Sequence, residues 1–138
     1  MDKIVKALKL AKNKKAFLSS LCTDNKIKIK RLMTVSKRIN LKTYYFSLKY
    51  SDILTNEFIK NSKACIHFND GIFSKGLMLE GNIEILNDME NKELIWNNGM
   101  EKIYKNGGIN DPDYCVIKFT ANYGNIYIKN KLEIIKFT

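Results

Sequence analysis

Few side chains in this 138-residue chain could do chemistry, and the scarcity narrows the options. The single histidine, His67, sits inside the apolar run KACIHF, where a ring is more often packed than catalytic. Cys22, Cys65 and Cys115 stand 43 and 50 positions apart, a spacing that matches no zinc or redox motif. Each lies in a strand-like apolar context and reads as a small buried hydrophobe. There is no G-x-S-x-G, Walker loop, G-x-G-x-x-G or H-E-x-x-H. Gly107-Gly108 lacks the Lys-Ser/Thr that a phosphate cradle needs and reads as a turn. Asp111 and Asp113 flank Pro112 and read as carboxylates that order a loop. No side chain stands out as a general base.

Two segments could hold an anion. In the alternating stretch 27–35, Arg31 shares a face with the apolar Ile29 and Met33, while Lys28, Lys30, Leu32 and Thr34 take the other. A guanidinium among buried neighbours requires an anionic partner, because an unpaired buried charge is costly. A phosphate matches its bidentate geometry, and a surface ion pair is the plainer option. The second segment is Ser51-Asp52 at the start of a helix, where outward N–H groups and the helix dipole favour an anion. A plain helix cap is the alternative there.

The elements that would carry these residues follow from pattern. Residues 2–12 space apolar groups by three and four among lysines, an amphipathic helix with Asp2 as cap. Strands are expected at 16–22, 27–35, 42–47, 63–68 and 77–86, with turns at 23–26 and 69–71 and a connection at 36–40. Residues 51–61 form a helix capped by Ser51 or Asp52 and closed by Asn61. Asn87 or Asp88 caps a helix over 89–96, Asn98-Gly99 closes it, and a further turn covers 100–104. Stretches 114–120 and 123–128 are strand-like, and 131–137 is a last strand. The order predicts a mainly β antiparallel barrel with short helices.

Composition sets the outer bounds. The length suits one domain, residues 1–138, with a real core and no need of disulfides. No apolar run approaches a membrane span, and the N-terminal stretch lacks the features of a signal peptide, so a cytoplasmic protein with reduced thiols is expected. The net charge of +10 is uneven: residues 1–42 hold 13 Lys/Arg against two acids. A solvated lysine-rich surface is the main reading of that excess. A phosphate-bearing ligand comes next, and nucleic acid stacked on Tyr44, Tyr45 and Phe46 is not expected.

Taken in order, these pieces have a known look. Arg31-Leu32-Met33 matches an Arg-x-Met strand, and Tyr45-Phe46-Ser47 an aromatic strand ending in Phe-Ser/Thr. Ser51 to Asn61-Ser62-Lys63 matches a Ser-initiated helix ending in Asn-x-Lys. Glu80-Gly81 to Asp88, Leu94-Ile95-Trp96, and the run from Gly108 through Asp111-Pro112-Asp113-Tyr114 complete the series. The chain resembles the FMN-binding split barrels of the pyridoxamine-5'-phosphate-oxidase-like family, in particular its general-stress-protein branch, over roughly residues 14–137.

The resemblance implies a six-stranded antiparallel split barrel that forms a homodimer with two FMN molecules at the interface. It implies an oxidoreductase-like function with unknown substrate. The alternatives are a non-catalytic flavin-binding or stress-related module, or a barrel that has lost FMN and binds another ligand. By position, Arg31, Leu32, Met33 and Thr34 would hold phosphate, ribityl chain and ring edge, Phe46 and Ser47 would line the flavin, and Ser51 and Asp52 would contact the phosphate. Lys75, with Gly76, begins a strand that approaches the flavin, and Trp96 with the 104–114 loop would lie near the partner. Relatives usually place Lys or Arg two residues after the helix-start serine; this chain has Ile53, and Lys49, Lys30 or Arg38 would have to substitute.

Overall fold

The computed structural model describes residues 2–21, 24, 26–70 and 75–137. Cys22 and parts of the expected turns at 23–26 and 69–71 lie outside them. Helix α1 (Lys3–Ala11) precedes strands β1 (Lys15–Leu21), β2 (Ile27–Thr34), β3 (Lys37–Ile39) and β4 (Thr43–Lys49). Helix α2 (Ile53–Lys60) leads to β5 (Lys63–Asp70) and β6 (Lys75–Leu86). Helix α3 (Met89–Ile95) and 3-10 turns at 100–102 and 108–110 lead to β7 (Tyr114–Ile128) and β8 (Lys131–Lys136).

All pairings are antiparallel, in the order β2-β1-β5-β6-β7-β4-β3, with β8 on β7. The six strands from β2 to β4 form the curled sheet of a split barrel, as expected, and β3 and β8 are short additions. One continuous segment supplies both ends of this path. β2 pairs with β1, two residues intervene, and β3 pairs with β4. Those two residues are held from either side: Val35 N–H donates to the Lys14 carbonyl at 2.7 Å and Ser36 N–H to the Tyr45 carbonyl at 2.8 Å.

Two expectations need correcting. The connection at 36–40 contains β3, because its backbone finds β4 beside it. The two stretches 114–120 and 123–128 are one strand: Glu80 faces Tyr123 and Gly81 faces Ala121, so Asn122 is accommodated as a bulge without ending the ladder.

Alternation on β4 divides the interior. Tyr44, Phe46 and Leu48 point into the barrel and pack with Leu18, Ile66, Phe68, Leu79, Ile117 and Phe119. Burying each such side chain contributes about 1.5–3 kcal/mol. Tyr45, on the other face, joins Ile95, Met100, Tyr104, Tyr114 and Val116 in a second cluster beneath α3 and the following loop. Cys65 and Cys115 are buried free thiols, as read from their contexts. Among the described residues no helix is long and apolar enough to cross a membrane.

Candidate functional site

The outward face of β2, the outward residues of β4 and the chain after α3 enclose a cleft of about 450 Å³. Strand alternation sends Leu32 and Thr34 to that side of β2, and Ser47 and Lys49 to that side of β4. The third wall is Asn97, Gly99, Met100, Ile103 and Tyr104. Gly99 has φ 101°, a left-handed conformation that turns the chain sharply after α3 and lets Met100 and Tyr104 fold back. The walls are therefore apolar, with hydroxyls and one lysine at the rim.

Beside the cleft stands an ion pair. Arg31 Nη1 lies 2.5 Å from Asp52 Oδ2, and Asp52 also lines the cleft. The other carboxylate oxygen, Oδ1, accepts the Leu54 N–H at 2.9 Å and caps α2. Burial pushes the Asp52 carboxyl up, but the Arg31 hydrogen bond, the Leu54 N–H and the Arg31 charge together hold it below the usual carboxylate range. Next to it, Asp113 accepts the Ser51 N–H at 2.9 Å and the Ser51 hydroxyl at 2.7 Å. Those two bonds, helped by the Lys49 charge, keep Asp113 low as well. Asp111 is buried and accepts the N–H groups of Asn106 and Asp113, so both carboxylates around Pro112 order the loop.

The predicted site residues divide. Leu32, Met33, Thr34, Ser47 and Asp52 border one cleft, with Arg31 attached through Asp52. Phe46 lies on the opposite face of β4 with its side chain in the barrel core. Ser51 is turned to Asp113. Trp96 stacks its half-buried ring on Tyr114 and Tyr104, with centroids 5.5 and 6.2 Å apart, just before the third wall. Lys75 begins β6, three strands from β2, and borders a shallow hollow with His67 and Tyr127. His67 is half-buried there, and burial together with the Lys30 charge lowers its pKa. Lys75 also borders a hollow of about 510 Å³ between α1 and the β7–β8 end, lined by lysines on both sides. Of the three lysine and arginine substitutes for Ile53, Lys49 lines the cleft, Lys30 lies 4.5 Å from the Phe17 ring centre, and Arg38 donates to the Asn40 carbonyl.

Sequence reasoning missed Ser36, Asn97, Met100, Ile103 and Tyr104. The helical turn at 100–104 was readable, but which strand it covers depends on the second core. Burial pushes the Tyr104 hydroxyl up to about 12 against the hydrogen bond with Ser47, so it stays protonated at the back of the cleft. No group of three or more His, Cys, Asp or Glu that could hold a metal occurs among the described residues.

The family model for proteins described as "Pyridoxamine 5'-phosphate oxidase like" matches residues 2–138. No curated protein matches the chain. Among solved structures, a protein from Clostridium acetobutylicum related to general stress protein 26 is 32% identical, with 99% of this chain and 97% of that one covered at a TM-score of 0.84. General stress protein 26 of Bacillus anthracis shares the fold at 17% identity and a TM-score of 0.78, covering 99% of this chain and 100% of that one. So does a heme binding protein of Mycobacterium smegmatis, at 13% identity and 0.75, covering 99% of this chain and 58% of that one. The curled barrel, the ordered motifs along it and a family match across nearly every residue agree: this chain belongs to the pyridoxamine 5'-phosphate oxidase-like family.

Proposed function

We propose that the chain is a flavin-binding, oxidoreductase-like protein that holds FMN in the cleft between β2, β4 and the 97–104 segment, at the interface of a homodimer. The observation that carries this reading is the make-up of the cleft. Leu32, Met33, Met100, Ile103 and Tyr104 offer apolar surface to a flat ring system, and Thr34, Ser36 and Ser47 offer hydroxyls to a ribityl chain. The residues fit the ring and sugar chain; at the phosphate end Lys49 is the cation on the wall, and Arg31 already carries Asp52.

When bound, the flavin supplies the electron transfer. The chain's own work is to bind, orient and exclude water. Leu32 and Ile103 line the cleft yet are 51% and 54% exposed, so one chain leaves the ring partly uncovered and a second copy would close it. Lys75, far along the sheet from β2, would supply its charge to the flavin of the other copy rather than to its own.

A second reading, a module that binds a different ligand, is favoured by Ile53 and by the Arg31–Asp52 pair. Titration of the purified protein with FMN, with F420 and heme as comparisons, separates the two. FMN should bind with quenched fluorescence and a shifted absorption band at about 450 nm. A colourless protein that binds no added FMN overturns the flavin reading, and tight binding of heme alone establishes the second.

A further inference from the structure

We infer that Asp52 is a built-in competitor for the phosphoryl group of the flavin, so that this cleft scarcely distinguishes FMN from riboflavin, its dephosphorylated form. The inference rests on the flavin reading above and concerns how that site chooses among flavins.

The corner where β2 meets the start of α2 has three kinds of group that seek an anion, and an internal carboxylate already engages each of them. Arg31 is engaged by one oxygen of Asp52 at 2.5 Å. The α2 N-terminus is engaged by the other, through the Leu54 N–H at 2.9 Å. The N–H and hydroxyl of Ser51 are both engaged by Asp113. Position 53 adds no charge: Ile53 is an exposed apolar side chain. A phosphate carrying close to two negative charges would thus meet two carboxylates at this corner, where Lys49 is the lysine on the cleft wall and Lys102 and Lys105 lie in the adjoining hollow beside Asp113. At Arg31 it would either share the guanidinium with Asp52 as a like charge beside it or displace Asp52 from Nη1 and cost that carboxylate its ion pair. Asp52 is ionised throughout the neutral range, since its carboxyl is held low, so the competition does not lapse at physiological pH. Riboflavin lacks the phosphate and meets none of this opposition.

The test compares FMN and riboflavin dissociation constants, by fluorescence quenching, for the native protein, Asp52→Asn and Asp52→Ser. Both replacements keep an N-cap acceptor for α2, so the helix start survives; the second guards against failure of the first to fold. In the native protein the two flavins should bind within about threefold of each other, and in the variants FMN should tighten about tenfold while riboflavin changes by less than about twofold. An FMN-to-riboflavin ratio unchanged in both variants, with either flavin bound, overturns the inference and leaves the flavin reading standing. Binding of neither flavin by any of the three proteins overturns both.

Discussion

Tyr44 carries the one buried side-chain oxygen that finds no hydrogen-bond partner among the described residues. Its ring is fully enclosed in the barrel, with centroids 5.8 Å from Phe68 and 6.1 Å from Phe119. Burial raises its pKa, so the hydroxyl remains neutral and costs solvation alone. Tyr44→Phe keeps both ring contacts and removes the orphaned group. It should stabilise the fold by about 1 kcal/mol and raise the melting midpoint by about 2–5 °C; a lowered midpoint in a thermal scan would show that the hydroxyl has a partner. At this scale the sequence was half informative about Arg31. Its need for an anion followed from sharing a face with Ile29 and Met33. The anion itself lies 21 positions away, and nothing local marks Asp52 as serving two partners, one with each oxygen. Ser51 and Asp113, 62 positions apart, pose the same problem.

Elements were more legible than their pairings. Period-two alternation and cap residues located the strands and helices, because both are written into neighbouring residues. The bulge at Asn122 and the three-residue β3 were not, because each exists only through the strand opposite. Gly81 shows how strict that pairing is. A Cβ placed there would lie 2.0 Å from the Thr120 carbonyl oxygen and 2.8 Å from the Ala121 Cα, both backbone atoms of β7. Gly81→Ala therefore has to push β6 and β7 apart at the bulge. The expected cost is about 3 kcal/mol, read from urea denaturation midpoints. A loss below about 0.5 kcal/mol would mean that the strands part more easily than this contact allows.

For the whole molecule, the cleft argues for company. Its most exposed apolar walls, Leu32 and Ile103, sit on the outside of the barrel, away from both cores. Sedimentation at micromolar concentration should give twice the 16.0 kDa of one chain, and Leu32→Asp should shift the protein towards the single chain. A native protein that sediments as one chain at every concentration sinks the dimer. The dimer is an expectation from the family resemblance; the apolar pattern alone shows which residues are apolar but not which of them the chain's own fold leaves uncovered.

The cleft also lies at the place where the barrel is joined by a single stretch of chain. Leu32, Met33, Thr34 and Ser36 border it, and they belong to the segment that leaves β1 and joins β4. Three residue pairs hold β3 to β4, against seven between β1 and β2. Local opening will therefore begin at β3, with the β1–β2 hairpin intact, and amide protons there should exchange with solvent ahead of those in the core strands. A ligand lying across β2 and β4 bridges that joint, so its binding and the slowing of exchange at β3 are one event seen from two sides.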